Sequence, residues 1–465
     1  MKKSRRQFLT RITAGAMALL TGAGQAKGEF IKRQSAETGN FKTSKEISWN
    51  RSIPMRYDAD VAIIGGGIAG VSAACAAAKS GARVILIERF GVVGGNSTTG
   101  GVASFCGETA GQGEVFDIII SDLEKFKAVA PYVPYPEADH RNFDHEILAV
   151  VFQELLLRRN VKLLLHTRFV DVVEQDGKIS ECIICGKSGP EALRAKQFID
   201  CTGEAEVAHV ARFRTMKGGD QNGLQLPMSV MCFVRHVEEN ELIEQVPEGV
   251  FKRYEKRKDL PMTSIWPNGP HGNALKIKVA KFDATDTESL TAAEIYGRRQ
   301  MMSVIDYYQR VEKRPWRFDH CSPQIGIREG RRILGDYVLK VEDLRKTRKF
   351  DDAVARGTYV LDAHKPDDDK RTYILSKAER TVPPYQIPLR SLIAKDGKNL
   401  MMAGRCLSAD QLALSSARVT TSCSMMGQAA GIAAAMSVEN KCDPRDLDFS
   451  EIRKIVEKRG ANLDV

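Results

Sequence analysis

Several sequence signals are missing from this chain of 465 residues, and each absence excludes or disfavours a class of protein. No Cys-x-x-Cys-His occurs, which excludes attachment of a c-type haem. No Cys-x-x-x-x-Cys pair occurs either, which disfavours disulfide-reductase chemistry. There is no internal repeat and no low-complexity tract, so a repeat architecture is not expected. The apolar stretch near the N-terminus is far shorter than the roughly 20 residues that span a bilayer, so no transmembrane span is expected.

The ten cysteines are predicted to be free thiols rather than a disulfide framework. Most of them lie in apolar or small-residue runs, where free cysteine behaves as a small hydrophobic residue. Cys182 and Cys185 have metal-like spacing, but their segment is predicted to be a strand, in which residues i and i+3 point to opposite faces. No second pair or nearby histidine completes a site. The sequence therefore predicts no bound metal.

The net charge of +10 is concentrated at the start of the chain. The first 26 residues hold five basic residues and no acidic residue, so the remainder carries 10 − 5 = +5. Elsewhere basic and acidic residues are interleaved, as on a solvated surface and unlike a nucleic-acid-binding stripe. Binding of nucleic acid is therefore not predicted.

Residues 1–26 have the organisation of a targeting segment: a basic start, an apolar stretch over 12–20, and small residues up to Ala26. Within it, Ser4-Arg5-Arg6-Gln7-Phe8-Leu9 resembles the twin-arginine export signal. That resemblance implies the twin-arginine translocation machinery as a partner, and this machinery carries proteins already folded, often with a cofactor inside. We therefore expect a periplasmic or otherwise exported protein, with a signal peptide over 1–26 and a linker over 27–56.

A strand, a helix and a second strand follow the linker within about thirty residues. Asp60 to Ile64 is a short apolar strand, Ile68 to Ser80 is alanine-rich and helical, and Arg83 to Glu88 is a second strand. This order predicts a βαβ unit in a parallel sheet.

The turn of this unit, Gly65 to Gly70, fits the dinucleotide-binding pattern G-x-G-x-x-G. The first glycine permits a tight turn, the second lets backbone approach a pyrophosphate, and the third lets helix and strand pack closely. The helix N-terminus adds N–H groups and a positive dipole. Glu88, eighteen residues past Gly70, stands where a carboxylate accepts ribose hydroxyls. The predicted contacts here are Gly65, Gly67, Ile68, Ala69, Gly70, Glu88 and Arg89.

A second glycine-rich stretch, GGNSTTGG over 94–101, begins six residues after Glu88 and favours FAD over NAD. A simple NAD domain has no need of it, whereas the pyrophosphate, ribitol and flavin edge of FAD run past such a loop. Thr202 and Gly203 lie in a further strand-end turn, similar to the Ala-Thr-Gly turn beside bound FAD with Cys201 in place of alanine. The additional contacts predicted are Gly94, Gly95, Asn96, Ser97, Val170, Thr202 and Gly203, with Gly100 and Gly101 closer to the ring.

Over residues 57–440 the chain resembles the FAD-dependent oxidoreductases whose fold is shared by fumarate-reductase-type and glutathione-reductase-type flavoproteins. The resemblance rests on the two glycine loops and on four later segments: Gly326 to Asp336, Asp362-Ala363-His364, Ala403 to Ser408, and Ser416 to Gly431. It implies an α/β fold in which a Rossmann-like FAD-binding domain carries an inserted mixed α+β substrate domain. The expected boundaries are 57–210 and 386–440 for the FAD-binding domain, 211–385 for the insert and 441–465 for a helical tail.

Near the C-terminus, Gly404, Arg405, Arg418 and Val419 complete the expected FAD contacts. A helix predicted over 419–436 places its N-terminus where it can stabilise negative charge on a reduced flavin. Gly427 and Gly431 lie one turn apart within that helix, and we assign them to close helix packing rather than to ligand contact.

Candidate catalytic residues are Arg328, Arg332 and His364. The arginine cluster of residues 328, 331 and 332 could orient a carboxylate substrate or hold the flavin, and Arg331 and Arg332 could equally form salt bridges. Asp362 and His364 could act as an acid–base pair, with a purely structural histidine as the alternative. The role of Cys106, which follows the second glycine loop, stays open.

Together these signals predict an exported FAD-dependent oxidoreductase that transfers hydride between a small organic substrate and the flavin N5. No second strand-flanked G-x-G-x-x-G is available for NADPH, so the electron partner is expected to be a quinone, a redox protein or oxygen. Three alternatives stay open. The first is a reductase of an unsaturated carboxylate, the second is a non-redox carbohydrate-acting lyase that retains FAD, and the third is a flavin-bearing binding protein without turnover.

Overall fold

The computed structural model describes residues 46–220, 222–238, 241, 246–268 and 271–465. The predicted signal peptide and most of the predicted linker lie outside the described residues. The chain forms two compact units, and the larger one takes in residues 53–245 and 253–465. The described residues of the smaller unit, 46–52 and 246–252, form neither helix nor strand.

All strands and helices below belong to the larger unit. In chain order the strands are β1 Met55–Ile64, β2 Val84–Ile87, β3 Ser104–Cys106, β4 His140–Asn142, β5 Lys162–Leu164, β6 Arg168–Gln175, β7 Lys178–Gly186, β8 Gly189–Asp200, β9 Thr215–Lys217, β10 Met228–His236, β11 Thr263–Pro267, β12 Gly272–Val279, β13 Trp316–Cys321, β14 Arg331–Ile333, β15 Ala353–Gly357, β16 Tyr385–Pro388 and β17 Leu400–Met402. The α-helices are α1 Ile68–Lys79, α2 Glu114–Lys125, α3 His145–Arg158, α4 Glu206–Val210, α5 Thr287–Arg310, α6 Val341–Arg345, α7 Lys377–Arg380, α8 Gln411–Ala417, α9 Thr420–Asn440 and α10 Phe449–Lys458.

A seven-stranded sheet forms the centre of the larger unit, with the order β5-β2-β1-β8-β7-β6 and β17 also paired with β8. The strands β5, β2, β1, β8 and β17 run parallel, whereas β7 pairs antiparallel with both β8 and β6. Val61 and Ile63 point into one buried cluster while Ala62 and Ile64 point into another. Both faces of the sheet are therefore covered, which is why β1 and β2 end in uninterrupted apolar runs. The predicted α/β class and βαβ unit are confirmed.

Helix α9 packs directly against α1 through its two glycines. A methyl group at Gly427 would lie 2.2 Å from the carbonyl oxygen of Ala69, and one at Gly431 would lie 2.2 Å from that of Ala73. Only glycine permits this approach, so the assignment of both residues to helix packing is confirmed. The sequence predicted one helix from Val419, whereas the structure adds a separate helix α8 that ends at Ala417.

A smaller antiparallel sheet, β11-β12-β10-β13, packs one face against α5. Val230 and Cys232 face that helix, while the alternate residues Met231 and Phe233 face the opposite way. On that opposite side the sheet covers the second glycine loop, because a methyl group at Gly101 would lie 3.0 Å from Cβ of Met231. The sheet lies within the predicted insert, whose boundaries stay a prediction.

All ten cysteines are free thiols. Cys182 is buried and Cys185 is partly exposed on the same strand, in keeping with opposite faces. Over the described ranges, no helix combines the length and the apolar character that crossing a membrane requires.

Candidate functional site

A cleft with about 980 Å³ of space, including its open mouth, lies at the carboxyl ends of β1, β2 and β8. Loops that follow parallel strands meet at this edge of a sheet, which makes it the usual ligand site of doubly wound folds. The walls of the cleft come from the glycine-rich segments that the sequence singled out.

The first glycine loop has the three properties expected of a dinucleotide-binding turn. Gly65 has φ +103°, and a methyl group there would lie 2.5 Å from the Cys201 carbonyl oxygen. Gly67 has no atom within 4 Å of its missing side chain, so its backbone faces open space in the cleft. A methyl group at Gly70 would lie 2.0 Å from the Gly65 carbonyl oxygen, so this glycine serves close packing of α1 on β1.

The second glycine loop is bonded directly to the first. The amide of Gly94 donates to the carbonyl of Gly66 at 2.7 Å. Glu88 also binds the first glycine loop, because its Oε2 accepts a hydrogen bond from the Gly66 amide at 2.8 Å. Its Oε1 accepts a hydrogen bond from the Phe90 amide at 3.0 Å. Burial raises the pKa of Glu88, while these backbone donors oppose the rise. Strand β2 ends at Ile87, so Glu88 lies just beyond the strand end at the rim of the cleft.

The opposite wall is formed by the turn after β8 and the segment after β17. Asp200 is fully buried and accepts from the amides of Thr202 and Val207, both at 3.0 Å, which fixes this turn. Gly203 has φ +82°, and a methyl group there would lie 2.3 Å from the guanidinium of Arg405. Arg405 also pairs with Glu204. A cationic side chain is thereby held at the edge of the cleft.

Most of the predicted cofactor residues line this cleft: Gly65, Gly67, Ile68, Ala69, Glu88, Arg89, Gly94, Gly95, Asn96, Ser97, Thr202, Gly203, Gly404, Arg405 and Arg418. Three do not. Gly70 lies behind the wall of the cleft, where it allows α1 to pack closely on β1. Val419 is the N-cap residue of α9. Val170 is 49% exposed, and its neighbour Phe169 lines the cleft instead, because successive strand side chains point to opposite faces.

Several residues that line the cleft were not predicted from the sequence: Thr167, Arg168, Phe169, Glu206, Gln324, Thr420 and Cys423. None belongs to a glycine pattern. Thr420 and Cys423 could have been inferred from their place in the first turn of the helix that was predicted to begin at Val419.

The residues of the cleft fit FAD. Among the described residues, several buried polar atoms at the cleft have no hydrogen-bond partner: Asn96 Oδ1, Arg405 Nε, Arg418 Nε and Thr420 Oγ1. Buried polar groups are normally paired, so unpaired ones around a cleft indicate a bound ligand with polar groups. The open backbone at Gly67 and the N-terminus of α1 suit its pyrophosphate.

A charged cluster adjoins the cleft through Arg418. This residue lines the cleft and donates from Nη2 to Oδ2 of Asp362 at 2.8 Å. His364 places Nε2 at 3.0 Å from Asp362 Oδ1, and Arg328 places Nε at 4.0 Å from Asp362 Oδ2. Arg328 also donates to the carbonyl of Pro227 at 2.7 Å. The predicted pair of residues 362 and 364 and one predicted arginine are thus brought together beside the cofactor cleft.

The electrostatics of this cluster follow from its burial. Burial opposes ionisation of Asp362, but its hydrogen bond with His364 and the charges of Arg418 and Arg328 hold its pKa well below the usual range. Burial lowers the pKa of His364 to about 4 and that of Arg328 to about 10. At neutral pH Asp362 is therefore a carboxylate, His364 is neutral, and Arg328 is charged.

Lys276 and Cys106 interact electrostatically with the same cluster. Burial and the nearby Arg328 lower the pKa of Lys276, while Asp362 and Cys106 act to raise it. Burial raises the pKa of Cys106, which keeps its thiol protonated. The Thr421 hydroxyl donates to the Cys106 carbonyl at 2.7 Å, tying the end of the second glycine loop to α9. Cys106 thus lies at the cluster as a neutral thiol.

The structure does not bring Arg332 to this cluster. Arg332 is buried, pairs with Glu329 and donates to the Gly218 carbonyl at 2.8 Å. Glu329 in turn accepts from the amides of Gly218 and Leu226 at 3.0 and 2.7 Å. Arg332 therefore holds β14 and its surroundings together, which is the salt-bridge alternative considered for it. Arg331 donates to the Thr285 carbonyl at 3.4 Å, also away from the cluster.

The model of the family described as "FAD dependent oxidoreductase" matches residues 60–456, which include both the cleft and the charged cluster. The chain belongs to this family. FAD is its cofactor, and the Rossmann-like FAD-binding fold expected from the sequence is confirmed. The protein is an FAD-dependent oxidoreductase enzyme.

Among curated proteins, the chain is similar to urocanate reductase from Eggerthella lenta, with 31% identity over 101 residues. This match covers 21% of the chain and only 15% of that relative. Similar solved structures include a geranylgeranyl bacteriochlorophyll reductase-like protein from Thermoplasma acidophilum, at 12% identity and a TM-score of 0.48 over 86% of this chain and 83% of that one. A p-nitrophenol 4-monooxygenase from Pseudomonas putida has 12% identity and a TM-score of 0.46 over 87% of each chain. These TM-scores are too low to bear on the substrate.

Lys276 was not predicted as a site residue, although the sequence holds a signal for it. In Ala274-Leu275-Lys276-Ile277-Lys278-Val279 two lysines alternate with apolar residues, which places both on one face of β12. Lys278 uses its ammonium to donate to the Lys370 carbonyl at 3.1 Å. Lys276 instead interacts electrostatically with Arg328, Asp362 and Cys106.

Proposed function

We propose that this enzyme is exported and transfers hydride between the flavin N5 and a small organic substrate that bears a carboxylate. The observation that carries the proposal is the position of Arg418, which lines the FAD cleft and pairs with Asp362 at 2.8 Å. A substrate bound at the charged cluster would therefore lie next to the cofactor. Bound FAD supplies the redox chemistry, and the protein supplies binding, orientation and electrostatics.

The charge of the cluster favours an anionic substrate. Arg328 and Arg418 are guanidinium groups on either side of the Asp362 carboxylate, which leaves 2 − 1 = +1 for a ligand to neutralise. Arginine suits a carboxylate, since guanidinium binds it with two parallel N–H groups.

The proposed proton carrier is His364. Its Nε2 pairs with Asp362 at 3.0 Å, which fixes the ring, and its Nδ1 is a buried atom without a hydrogen-bond partner among the described residues. A histidine that is neutral at pH 7 and oriented by a carboxylate can accept a proton at its other nitrogen. In the oxidation of a hydroxy acid, His364 would take up the hydroxyl proton as hydride leaves the carbon.

Reduction of an unsaturated carboxylate is the second candidate, and it uses the same cluster in the opposite direction. Its specific support is the 31% identity with urocanate reductase over 101 residues, together with the resemblance to fumarate-reductase-type flavoproteins. A quinone, a redox protein or oxygen would serve as electron partner for either direction. A non-redox lyase or a binding protein is disfavoured by membership of an oxidoreductase family.

The experiment that tests the proposal is anaerobic spectroscopy of the purified, FAD-loaded enzyme. Hydroxy acids, amines and sugars are added to oxidised enzyme, and fumarate or urocanate to dithionite-reduced enzyme. We expect bleaching by a hydroxy acid, or reoxidation by an unsaturated acid, and no response to the matching amides. A response to neutral sugars alone would overturn the carboxylate assignment. No response to any compound, alongside non-redox turnover, would support a lyase.

Two arginine variants connect that response to the cluster. Arg328→Gln removes a buried charge beside Asp362, and we expect the Michaelis constant for the carboxylate substrate to rise at least tenfold. Arg331→Gln, three residues along and outside the cluster, is the matched control and should leave it unchanged. Equal effects of the two substitutions would contradict a specific role for Arg328.

A further inference from the structure

Three side chains outside the FAD cleft converge at the start of α3. His145 and Glu146 open this helix, and Asp144 caps it by accepting from the Glu146 amide at 2.9 Å. His320 lies near the end of β13, opposite Phe233 of β10. The possible ligand atoms of the two histidines and the glutamate all lie within 4.8 Å of one another. Two parts of the chain that are distant in sequence thus bring two imidazoles and one carboxylate together.

The spacing of these groups is close to that of ligands on one metal ion. His145 Nε2 and Glu146 Oε1 are 3.4 Å apart. Two ligand atoms at about 2.1 Å from a tetrahedral zinc ion are separated by about 3.4 Å. The ring centroids of His145 and His320 are 5.7 Å apart. Two imidazoles on one tetrahedral ion have centroids roughly 5 Å apart, which is close to the observed spacing.

His320 is oriented as metal-binding histidines usually are. Its Nδ1 lies 2.9 Å from Oδ2 of Asp319, so the proton of the neutral ring resides on Nδ1. Its Nε2 is then a bare lone pair, and this atom is buried without a hydrogen-bond partner among the described residues. A carboxylate on the second ring nitrogen fixes the tautomer and increases the basicity of a ligand.

The surroundings hold both rings in place. Phe233 stacks on His145 at 4.6 Å and on His320 at 4.4 Å between centroids, with all three rings close to parallel. The side chain of His145 is only 7% exposed, so its ring is fixed in position beside Glu146. The buried Nε2 of His320 has no hydrogen-bond partner among the described residues, and a metal bond would supply that missing partner.

We propose that His145, Glu146 and His320 form a binding site for a divalent transition-metal ion of the zinc class. Two imidazoles and one carboxylate are a common ligand set for zinc, and water completes the coordination. The ion joins α3 to the smaller sheet across Phe233. This aromatic ring also lies against the second glycine loop, because a methyl group at Gly101 would be 3.4 Å from its Cε2 atom. The site is separate from the FAD cleft, since none of its three ligands lines that cleft.

The test is titration of zinc into FAD-loaded enzyme that carries no polyhistidine tag and has been freed of metal by a chelator. Calorimetry should detect one zinc ion per chain with a dissociation constant in the micromolar range or tighter. His320→Ala and Glu146→Gln should each weaken binding at least tenfold. Both residues are at least partly exposed, so the variants should fold and keep their flavin absorbance.

His140→Ala is the matched control. His140 is also paired with a neighbouring carboxylate, Asp139, but lies outside the proposed ligand set. This variant should bind zinc like the parent enzyme. Zinc binding that is absent from the parent, or that is unchanged in both His320→Ala and Glu146→Gln, would overturn the proposal. The second result would assign the ion to the cysteines or to other surface groups instead.

Discussion

Glu88 accepts a hydrogen bond from the amide of Gly66 at 2.8 Å, so one carboxylate both fixes the first glycine loop and faces the cofactor cleft. A second acceptor bond, from the Phe90 amide at 3.0 Å, uses its other oxygen. Each carboxylate oxygen still has a free lone pair, which is what ribose hydroxyls require. The same side chain therefore serves the shape of the loop and the recognition of FAD.

We expect Glu88→Gln to weaken FAD binding by roughly 10- to 100-fold, since a hydrogen bond to a charged group contributes about 1.5–3 kcal/mol. The amide keeps one acceptor oxygen but loses the charge and the second acceptor. The measurement is reconstitution of the apoprotein with FAD, followed by quenching of flavin fluorescence. Glu181→Gln is the control and should bind FAD like the parent, because Glu181 of β7 forms an ion pair with Arg194 of β8, away from the cleft. Unchanged FAD affinity in Glu88→Gln would contradict this role.

A second prediction concerns the contact between α9 and α1. Gly431→Ala should lower the free energy of unfolding by about 1–3 kcal/mol, because the added methyl group would meet the Ala73 carbonyl oxygen at 2.2 Å and the helices must move apart. Gly297→Ala is the matched control within α5. Its methyl group would lie 3.4 Å from Cβ of Val230, an ordinary contact, so the gain in helix propensity should make this change neutral or stabilising by up to about 1 kcal/mol. Equal destabilisation by both changes in urea unfolding would refute the packing argument.

The cofactor cleft could be predicted from the sequence because its tight turns and close backbone contacts require glycine. These glycines occur at fixed spacings that can be recognised in the sequence. Gly65, Gly67 and Gly70 each have the separate role that the pattern implies, and Gly94 follows at the expected distance. These signals are local, and a short stretch of chain contains the whole of each one. Val170 was wrongly expected in the cleft because the face of a strand is set by register, and a shift of one residue exchanges it with Phe169.

The substrate region was less predictable because its charges come from separate elements. Arg328 lies before β14, Lys276 on β12, and Asp362 between β15 and α7. Only the fold shows that the first arginine of the basic cluster reaches Asp362, whereas Arg332 is neutralised by Glu329 three residues earlier. Spacing along the chain cannot distinguish these two arginines.

Export is a third prediction, and it rests on the segment Ser4 to Leu9. Replacing Arg5 and Arg6 together by lysine preserves the charge but removes the twin-arginine pair. In a bacterial host with the twin-arginine machinery, we expect the parent protein in the periplasmic fraction and the double variant in the cytoplasm. Replacing Lys2 and Lys3 by arginine is the control and should leave export intact. Periplasmic recovery of the Arg5/Arg6 variant would rule out this route.

The last prediction concerns the stability of the protein in mild acid. Burial lowers the pKa of His364 from 6.5 to about 4. As the pH falls through 6.5 the unfolded chain takes up a proton, whereas the folded protein does not until about pH 4. The unfolded state therefore binds more protons in this window, and the free energy of unfolding decreases as the pH falls. Above pH 6.5, His364 is neutral in both states and the folded protein has its full stability. Between pH 6.5 and pH 4 the free energy of unfolding falls by about 3 kcal/mol in total because of this residue.

Asp362 affects stability in a different pH range. Its pKa is lowered from 3.8, so its contribution to the free energy of unfolding is lost only below pH 3.8. The difference between the parent and a His364 variant over pH 7 to 4.5 therefore reports on the histidine and not on Asp362. We expect His364→Gln to be less stable than the parent at pH 7, because the ring's bond to Asp362 is lost, but to lose about 2–3 kcal/mol less on going to pH 4.5. Urea unfolding at the two pH values measures both quantities. His271→Gln, a change at an exposed histidine, should keep the parent's pH dependence. A His364→Gln variant with the same pH dependence as the parent would show that His364 is not the group that titrates.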